Sequence, residues 1–138
     1  MRAVLDTNVL VSSLLVPMGH SAAIFRAWRN GRFQLVTSEE QLAELRATLR
    51  KPRLASRVKP YSVGRLVNEI RQFAEIVERM PKVRRSPDPT DDFLLALSEG
   101  GNVDYLVTGD KGGLLSLGRH RWTRIVDAKM FATVLSAV

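Results

Sequence analysis

Four short segments, spread from one end of the chain to the other, place a carboxylate where an apolar run stops or a helix begins. They are Leu5-Asp6-Thr7-Asn8, Glu44 within residues 38–45, Thr90-Asp91-Asp92-Phe93, and Thr108-Gly109-Asp110. The remainder is basic: 21 Lys and Arg stand against 14 Asp and Glu, for a net charge of +7. Carboxylates gathered in one pocket repel one another, and a divalent cation relieves that repulsion. Mg2+ and Mn2+ are hard ions that take oxygen ligands and keep several waters. Such an ion lowers the pKa of a water and stabilises charge on a phosphorus under attack. Acids at the carboxyl ends of buried strands, inside a positive protein, lead to a metal-dependent nuclease that works on a polyanion.

Each acid also has a plainer reading. A carboxylate directly after an apolar strand is costly unless it is paired, hydrated or metal-bound, which singles out Asp6. Asp6 is equally a good N-cap for a helix that starts at Thr7. Glu44 lies between Leu42 and Leu45, and a lone glutamate there reads as a solvated helix face. Glu39 and Glu40 suit the first turn of that helix, where the dipole favours acids. Asp88 before Pro89 reads as an N-cap followed by proline at the first helical position. Asp92 is favoured as the metal acid by its register with the apolar residues that follow, with Asp91 as the alternative. Asp110 follows Gly109, which permits a tight turn. Asp104 opens a strand, at the wrong end for chemistry, and reads as structural.

The elements that must position these acids alternate. Residues 2–5 are a short apolar run, expected as a central strand buried on both faces. Helices are expected over 7–15 and 21–29, the second closed by Asn30-Gly31. A strand over 33–37 leads to a helix capped by Ser38 with Gln41 three residues on, a capping box. Leu42, Leu45 and Leu49 form its stripe and Pro52 ends it. A helix over 61–73 turns Leu66, Ile70 and Phe73 inward. Ile76-Val77 reads either as a strand or as the helix end. After a loop over 82–90 come a helix over 89–99, a strand over 105–108, a helical turn at 114–117, a strand over 123–126 and a helix over 128–135. Strands alternating with helices imply a parallel sheet covered on both faces. Ligands bind such sheets beyond the carboxyl ends of the strands. Asp6 and Asp110 follow strands there, and Glu44 and Asp92 sit early on helices that begin there.

With 138 residues, 45% of them hydrophobic, the chain is expected to form one domain over 1–138. It has no cysteine, which excludes disulfides, zinc-thiolate sites and cysteine nucleophiles. Its two histidines, His20 and His120, stand in no catalytic context. No Walker or GxGxxG glycine loop is present. Asp6 and Asn8 interrupt the N-terminal apolar run, so it does not read as a signal peptide. No segment reaches the ~20 apolar residues of a membrane span. The expectation is a soluble, cytoplasmic protein that binds no membrane.

The cations cluster. Residues 45–68 contain Arg46, Arg50, Lys51, Arg53, Arg57, Lys59 and Arg65 and no acid. Lys82, Arg84 and Arg85 precede Asp88, Lys111 follows Asp110, and Arg119, His120, Arg121 and Arg124 form a third group. Singly each is a solvated face; together they suit a surface that tracks phosphates. Tyr61 and Trp122 are candidates for stacking on bases, whereas the helical spacing of Trp28 places it in the core.

The ordered set of motifs resembles the PIN-domain family, and within it the VapC-like toxin components of bacterial toxin–antitoxin systems. The matching stretches are Val4-Leu5-Asp6-Thr7-Asn8-Val9-Leu10-Val11-Ser12, then Ser38-Glu39-Glu40 leading to Glu44-Leu45. Asp88-Pro89-Thr90-Asp91-Asp92-Phe93-Leu94-Leu95-Ala96-Leu97 and Asp104-Tyr105-Leu106-Val107-Thr108-Gly109-Asp110-Lys111 complete the set. The resemblance implies a Rossmann-like three-layer α/β/α sandwich around a mostly parallel five-stranded sheet. It implies a Mg2+- or Mn2+-dependent endoribonuclease whose metal acids are Asp6, Glu44, Asp92 and Asp110. Asn8 is then expected to orient Asp6, and Thr108 to do similar work near Asp110. It further implies in-line attack by water that leaves a 5′-phosphate, a homodimer, and a small antitoxin whose tail blocks the pocket. Related proteins often carry an accessory acid two residues after the last aspartate, and here that position is Gly112. The alternative reading is a non-catalytic RNA-binding protein that keeps the fold and the basic surface.

Overall fold

Short apolar runs flanked by amphipathic stretches build a sheet with helices on either face. The computed structural model describes residues 1–110 and 112–137. Its elements run β1 (Arg2–Leu5), α1 (Thr7–Leu15), α2 (His20–Arg29), β2 (Gln34–Thr37), α3 (Glu39–Leu49), α4 (Pro52–Ala55), α5 (Pro60–Phe73) and β3 (Glu75–Ile76). A 3-10 turn (Pro89–Asp91), α6 (Asp92–Gly100), β4 (Tyr105–Val107), α7 (Leu114–Leu117), β5 (Arg119–His120), β6 (Thr123–Val126) and α8 (Ala128–Ser136) follow. The strand order is β3-β2-β1-β4-β6-β5, parallel except for β5, which pairs antiparallel with β6.

Successive strand residues point to opposite faces, and the core divides accordingly. Ala3 and Leu5 of β1 pack with buried residues of α1, α2, α3, α5 and α8. Val4 packs on the other face with Leu94, Leu95 and Leu97 of α6 and Leu114 of α7. β1 is thus buried on both sides, as its unbroken apolar run requires.

Three expectations are corrected. Among the described residues the sheet has six strands, not five, because β5 adds a two-residue edge turned back by Arg121 at φ +51°. So short a strand is held by backbone pairing and leaves no side-chain pattern to read. Pro52 does not simply end a helix; α3 stops at Leu49 and Pro52 starts α4 from its first position, where its missing N–H costs nothing. Phe73 does not turn inward. The buried stripe of α5 is Val63, Leu66, Val67 and Ile70, and Phe73, the last residue of the helix, overhangs the core with 66% of its surface exposed. The two-way reading at residues 76–77 resolves as a strand one residue earlier, Glu75–Ile76, with Val36 opposite Glu75 and Thr37 opposite Ile76.

No single helix among the described residues is long and apolar enough to cross a membrane. Asp104 is structural, accepting a hydrogen bond from the backbone N–H of Arg2 at 2.8 Å, and Trp28 is buried.

Candidate active site

β1 lies between β2 and β4, so the connections leaving it diverge and open a crevice at the carboxyl end of the sheet. Asp6 follows β1 directly. Its backbone N–H donates to Val107 O of β4 at 2.8 Å, extending the ladder by one bond. Its carboxylate is buried, yet both oxygens are engaged. The Thr108 hydroxyl donates to Oδ2 at 2.7 Å, and the Asn8 backbone N–H reaches Oδ1 at 3.4 Å. Asp6 is therefore an N-cap of α1 and a pocket acid at once. Asn8 acts on it through the main chain, while the Asn8 side chain faces the pocket.

Glu44 comes from α3. That helix is tied to the end of β1 by Gln41, whose Nε2 donates to Leu5 O at 2.6 Å and whose Oε1 accepts from the Thr37 hydroxyl at 2.5 Å. Only half of the expected capping box forms. Ser38 Oγ accepts from the Gln41 backbone N–H at 3.2 Å, but the Gln41 side chain crosses to β1 rather than returning to Ser38. The buried Gln41 amide thereby holds the helix bearing Glu44 against the strand that ends in Asp6.

Asp91 and Asp92 are distinguished by direction. Asp92 Oδ1 accepts from the backbone N–H groups of Arg85 at 3.0 Å and Ser86 at 2.7 Å. These bonds hold its pKa below the usual carboxylate value. Its carboxylate anchors the preceding loop and is not part of the crevice. Asp91, the last residue of the 3-10 turn, lines the crevice instead. Asp91, and not Asp92, is thus the acid brought to the crevice. The register argument assumed that α6 begins at Pro89, whereas a tighter 3-10 turn comes first and rotates the two acids relative to the apolar stripe.

Asp110 follows β4. Its Oδ1 accepts from the Gly113 N–H at 3.2 Å, and its own N–H donates to Thr108 Oγ1 at 3.2 Å. Thr108 thus serves both Asp6 and Asp110. A Cβ at Gly113 would lie 2.0 Å from Asp110 Oδ2, so the glycine is required for the carboxylate to rest where it does.

The crevice has a volume of ≈ 560 Å³ and is lined by the acids Asp6, Glu44, Asp88, Asp91 and Asp110, with Asn8 and Thr90 among the polar groups. Asp88, read from sequence as a cap, does cap: its Oδ1 accepts from the Thr90 N–H at 3.0 Å and the Thr90 hydroxyl at 2.9 Å. That it also faces the crevice was missed, and the signal available was three acids within one five-residue turn. Among the described residues, no three Asp, Glu or His side chains already stand close enough to grip one cation.

Electrostatics record the crowding. Asp6 has a raised pKa, by burial first, against the pull of Thr108, with the charge of Asp110 adding to the rise. Glu44 is raised by loss of solvent first and then by the charge of Asp6. Asp91 is pushed up to about 6, by burial first, then by its hydrogen bond to Asp110 and the charges of Asp110, Asp6 and Asp88. Mutually raised carboxylates in one crevice fit a divalent cation, and an all-oxygen donor set suits Mg2+ or Mn2+. The buried Thr7 hydroxyl, beside Glu44, lacks a well-aligned hydrogen-bond partner and offers a further polar contact there.

The PIN-domain family model matches residues 2–112, the stretch that carries all of these acids. The chain belongs to the PIN-domain family. PIN domains are generally nucleases and typically depend on a divalent metal. The crystal structure of PAE2754 from Pyrobaculum aerophilum is similar in fold, with a TM-score of 0.64 at 16% identity over 100% of this chain and 91% of that one. No curated protein matches the sequence.

The expected phosphate contacts of this PIN domain fall in different places. Lys51 is exposed and its charge acts on Glu44. Lys82 and Arg84 are exposed on the loop before Asp88. Arg85 is tied down, its Nη1 lying 2.9 Å from His120 Nδ1, while His120 Nε2 is 2.9 Å from Glu99 Oε1. Arg46 and Arg50 lie on the other flank of α3 from Glu44. Lys111 lies outside the described residues.

Proposed function

We propose that this PIN domain is a cytoplasmic Mg2+- or Mn2+-dependent endoribonuclease, the toxin of a toxin–antitoxin pair. The observation that carries the reading is the convergence of Asp6, Glu44, Asp91 and Asp110 on one crevice, with Asp88 at its edge. In this reading Asp6, Asp91 and Asp110 hold the metal with Glu44, and Asp92 is a loop anchor. The bound ion would supply charge stabilisation at phosphorus and a more acidic water. The chain's own part is to orient and to repel. Thr108 and the Asn8 N–H fix the Asp6 carboxylate, and Gly113 N–H fixes that of Asp110. Lys51, Lys82 and Arg84 would carry the phosphates of the strand on either side.

Two partners belong to the same reading: a small antitoxin that covers the crevice, and a second copy of the chain in a homodimer. The test is cleavage of end-labelled single-stranded RNA by the purified protein with Mg2+, with Mn2+ and with EDTA, beside Asp6→Asn. Metal-dependent scission lost in the variant supports the reading. Because no three acids among the described residues stand close enough to grip one cation, a second reading is a non-catalytic RNA-binding PIN domain. It predicts RNA binding that survives EDTA, with no scission under any condition.

A further inference from the structure

Away from the acidic crevice, α3, α4 and α5 enclose a second groove of ≈ 360 Å³. Its floor is apolar, built from Leu49, Val58, Pro60 and Val63, and Arg46 and Arg50 stand at its rim. Neither guanidinium forms a salt bridge among the described residues. The three elements fall within residues whose 45–68 stretch carries seven cations and no acid. Whatever occupies the groove meets two positive charges along its α3 side.

Gly64 lines this groove, in the interior of α5. Glycine within a helix is unfavourable relative to alanine, because more backbone freedom is lost on folding. Here nothing in the fold asks for it. A Cβ added at Gly64 would find no atom within 4 Å, and its φ is not in the left-handed region. A side chain at this position would enter open space at the groove and not the core.

We infer that the groove binds one unstacked nucleotide of a single-stranded RNA, with the base on the apolar floor and its phosphates on Arg46 and Arg50. This rests on the ribonuclease reading and extends it to a nucleotide distant from the scissile bond. The volume favours a single base: it is at the small end of the about 300–1,000 Å³ of small-molecule sites. An amphipathic helix needs a longer trough with several anchor points. An apolar surface flanked by arginines matches the two halves of a nucleotide, and unstacked bases are what single-stranded RNA offers. Lys51 connects the two sites, since it follows Arg50 and its charge reaches Glu44.

The test measures binding of labelled single-stranded oligoribonucleotides by fluorescence anisotropy in EDTA, where no strand is cut. Gly64→Leu fills the groove and is expected to weaken binding by about tenfold. Gly64→Ala is expected to weaken it about threefold while raising the melting temperature, since it improves the helix. A stabilised protein that binds worse separates groove occupancy from misfolding. A single abasic position scanned along the oligonucleotide should reduce wild-type affinity at one position and leave Gly64→Leu indifferent there. Equal affinity of wild type and both variants overturns the inference. Failure of the wild type to bind RNA at all overturns the inference together with the ribonuclease reading. RNA bound without scission once Mg2+ is added, with the variants still weaker, sinks the catalytic reading alone and supports the groove.

Discussion

Asp91 and Asp110 face one crevice, and the Asp110 carboxylate helps push the Asp91 pKa up to about 6. The two come from opposite ends of α6 and β4, brought together because β4 lies beside β1. A dication held by both carboxylates would offset the penalty of ionising Asp91.

This pairing makes stability depend on pH in a specific direction. Asp91 has its folded pKa raised to about 6, above the ordinary aspartate value. Its stabilising contribution is complete below the unfolded value and is lost as pH rises through the folded one. Thermal melts in EDTA between about pH 4 and pH 7 should therefore show wild type losing stability relative to Asp91→Asn as pH rises. Adding Mg2+ should raise the melting temperature of wild type more at the upper end of that range than at the lower. Parallel curves for the two proteins would falsify the raised Asp91 pKa.

Asp92 and Asp91 should separate cleanly in kinetics. Asp91→Asn removes a crevice acid and is expected to lower kcat by about 100-fold or more. Asp92→Asn weakens the grip on the Arg85 and Ser86 amides. It should raise KM for RNA and lower the melting temperature slightly, with kcat nearly unchanged. A larger kcat loss for Asp92→Asn than for Asp91→Asn would restore Asp92 as the metal acid.

Gly113→Ala forces a Cβ to within 2.0 Å of the resting position of Asp110 Oδ2. The carboxylate must move, so activity should fall towards that of Asp110→Asn while circular dichroism stays that of the wild type. Wild-type turnover in Gly113→Ala would show that Asp110 is not needed where it rests.

Gln41→Leu removes both bonds of a fully buried amide and leaves Leu5 O without that partner. Stability should fall by about 1–3 kcal/mol in a denaturant titration. Activity should fall as well, because α3 and the end of β1 lose their common tie. Loss of stability without loss of turnover would mean that Glu44 does not depend on this tie.

RNA affinity should decline linearly in log[salt], and Lys51→Ala, Lys82→Ala and Arg84→Ala should each flatten the slope by about one unit. Arg85→Ala should do so less, because its guanidinium is engaged with His120.

The sequence by itself determined which residues are acids at strand ends. Apolar runs such as residues 2–5 and 105–107 lie buried on both faces, and that pattern is local enough to read. Asp6 and Asp110 follow those runs, so their convergence follows from a parallel sheet alone. Tertiary structure decided what depends on rotation and on remote partners. Whether Asp91 or Asp92 faces the crevice turns on a 3-10 turn, which shifts direction by a fraction of a helical turn and leaves no hydrophobic signature. Gln41 spends its side chain on Leu5 rather than on its own cap, because a strand 36 residues away offers a buried carbonyl. The edge strand at Arg119–His120 is held by two backbone pairings, and the groove beside Gly64 is the space left between three successive helices; neither leaves an apolar pattern to read. Local periodicity reports burial, whereas direction within a pocket depends on contacts that sequence spacing does not encode.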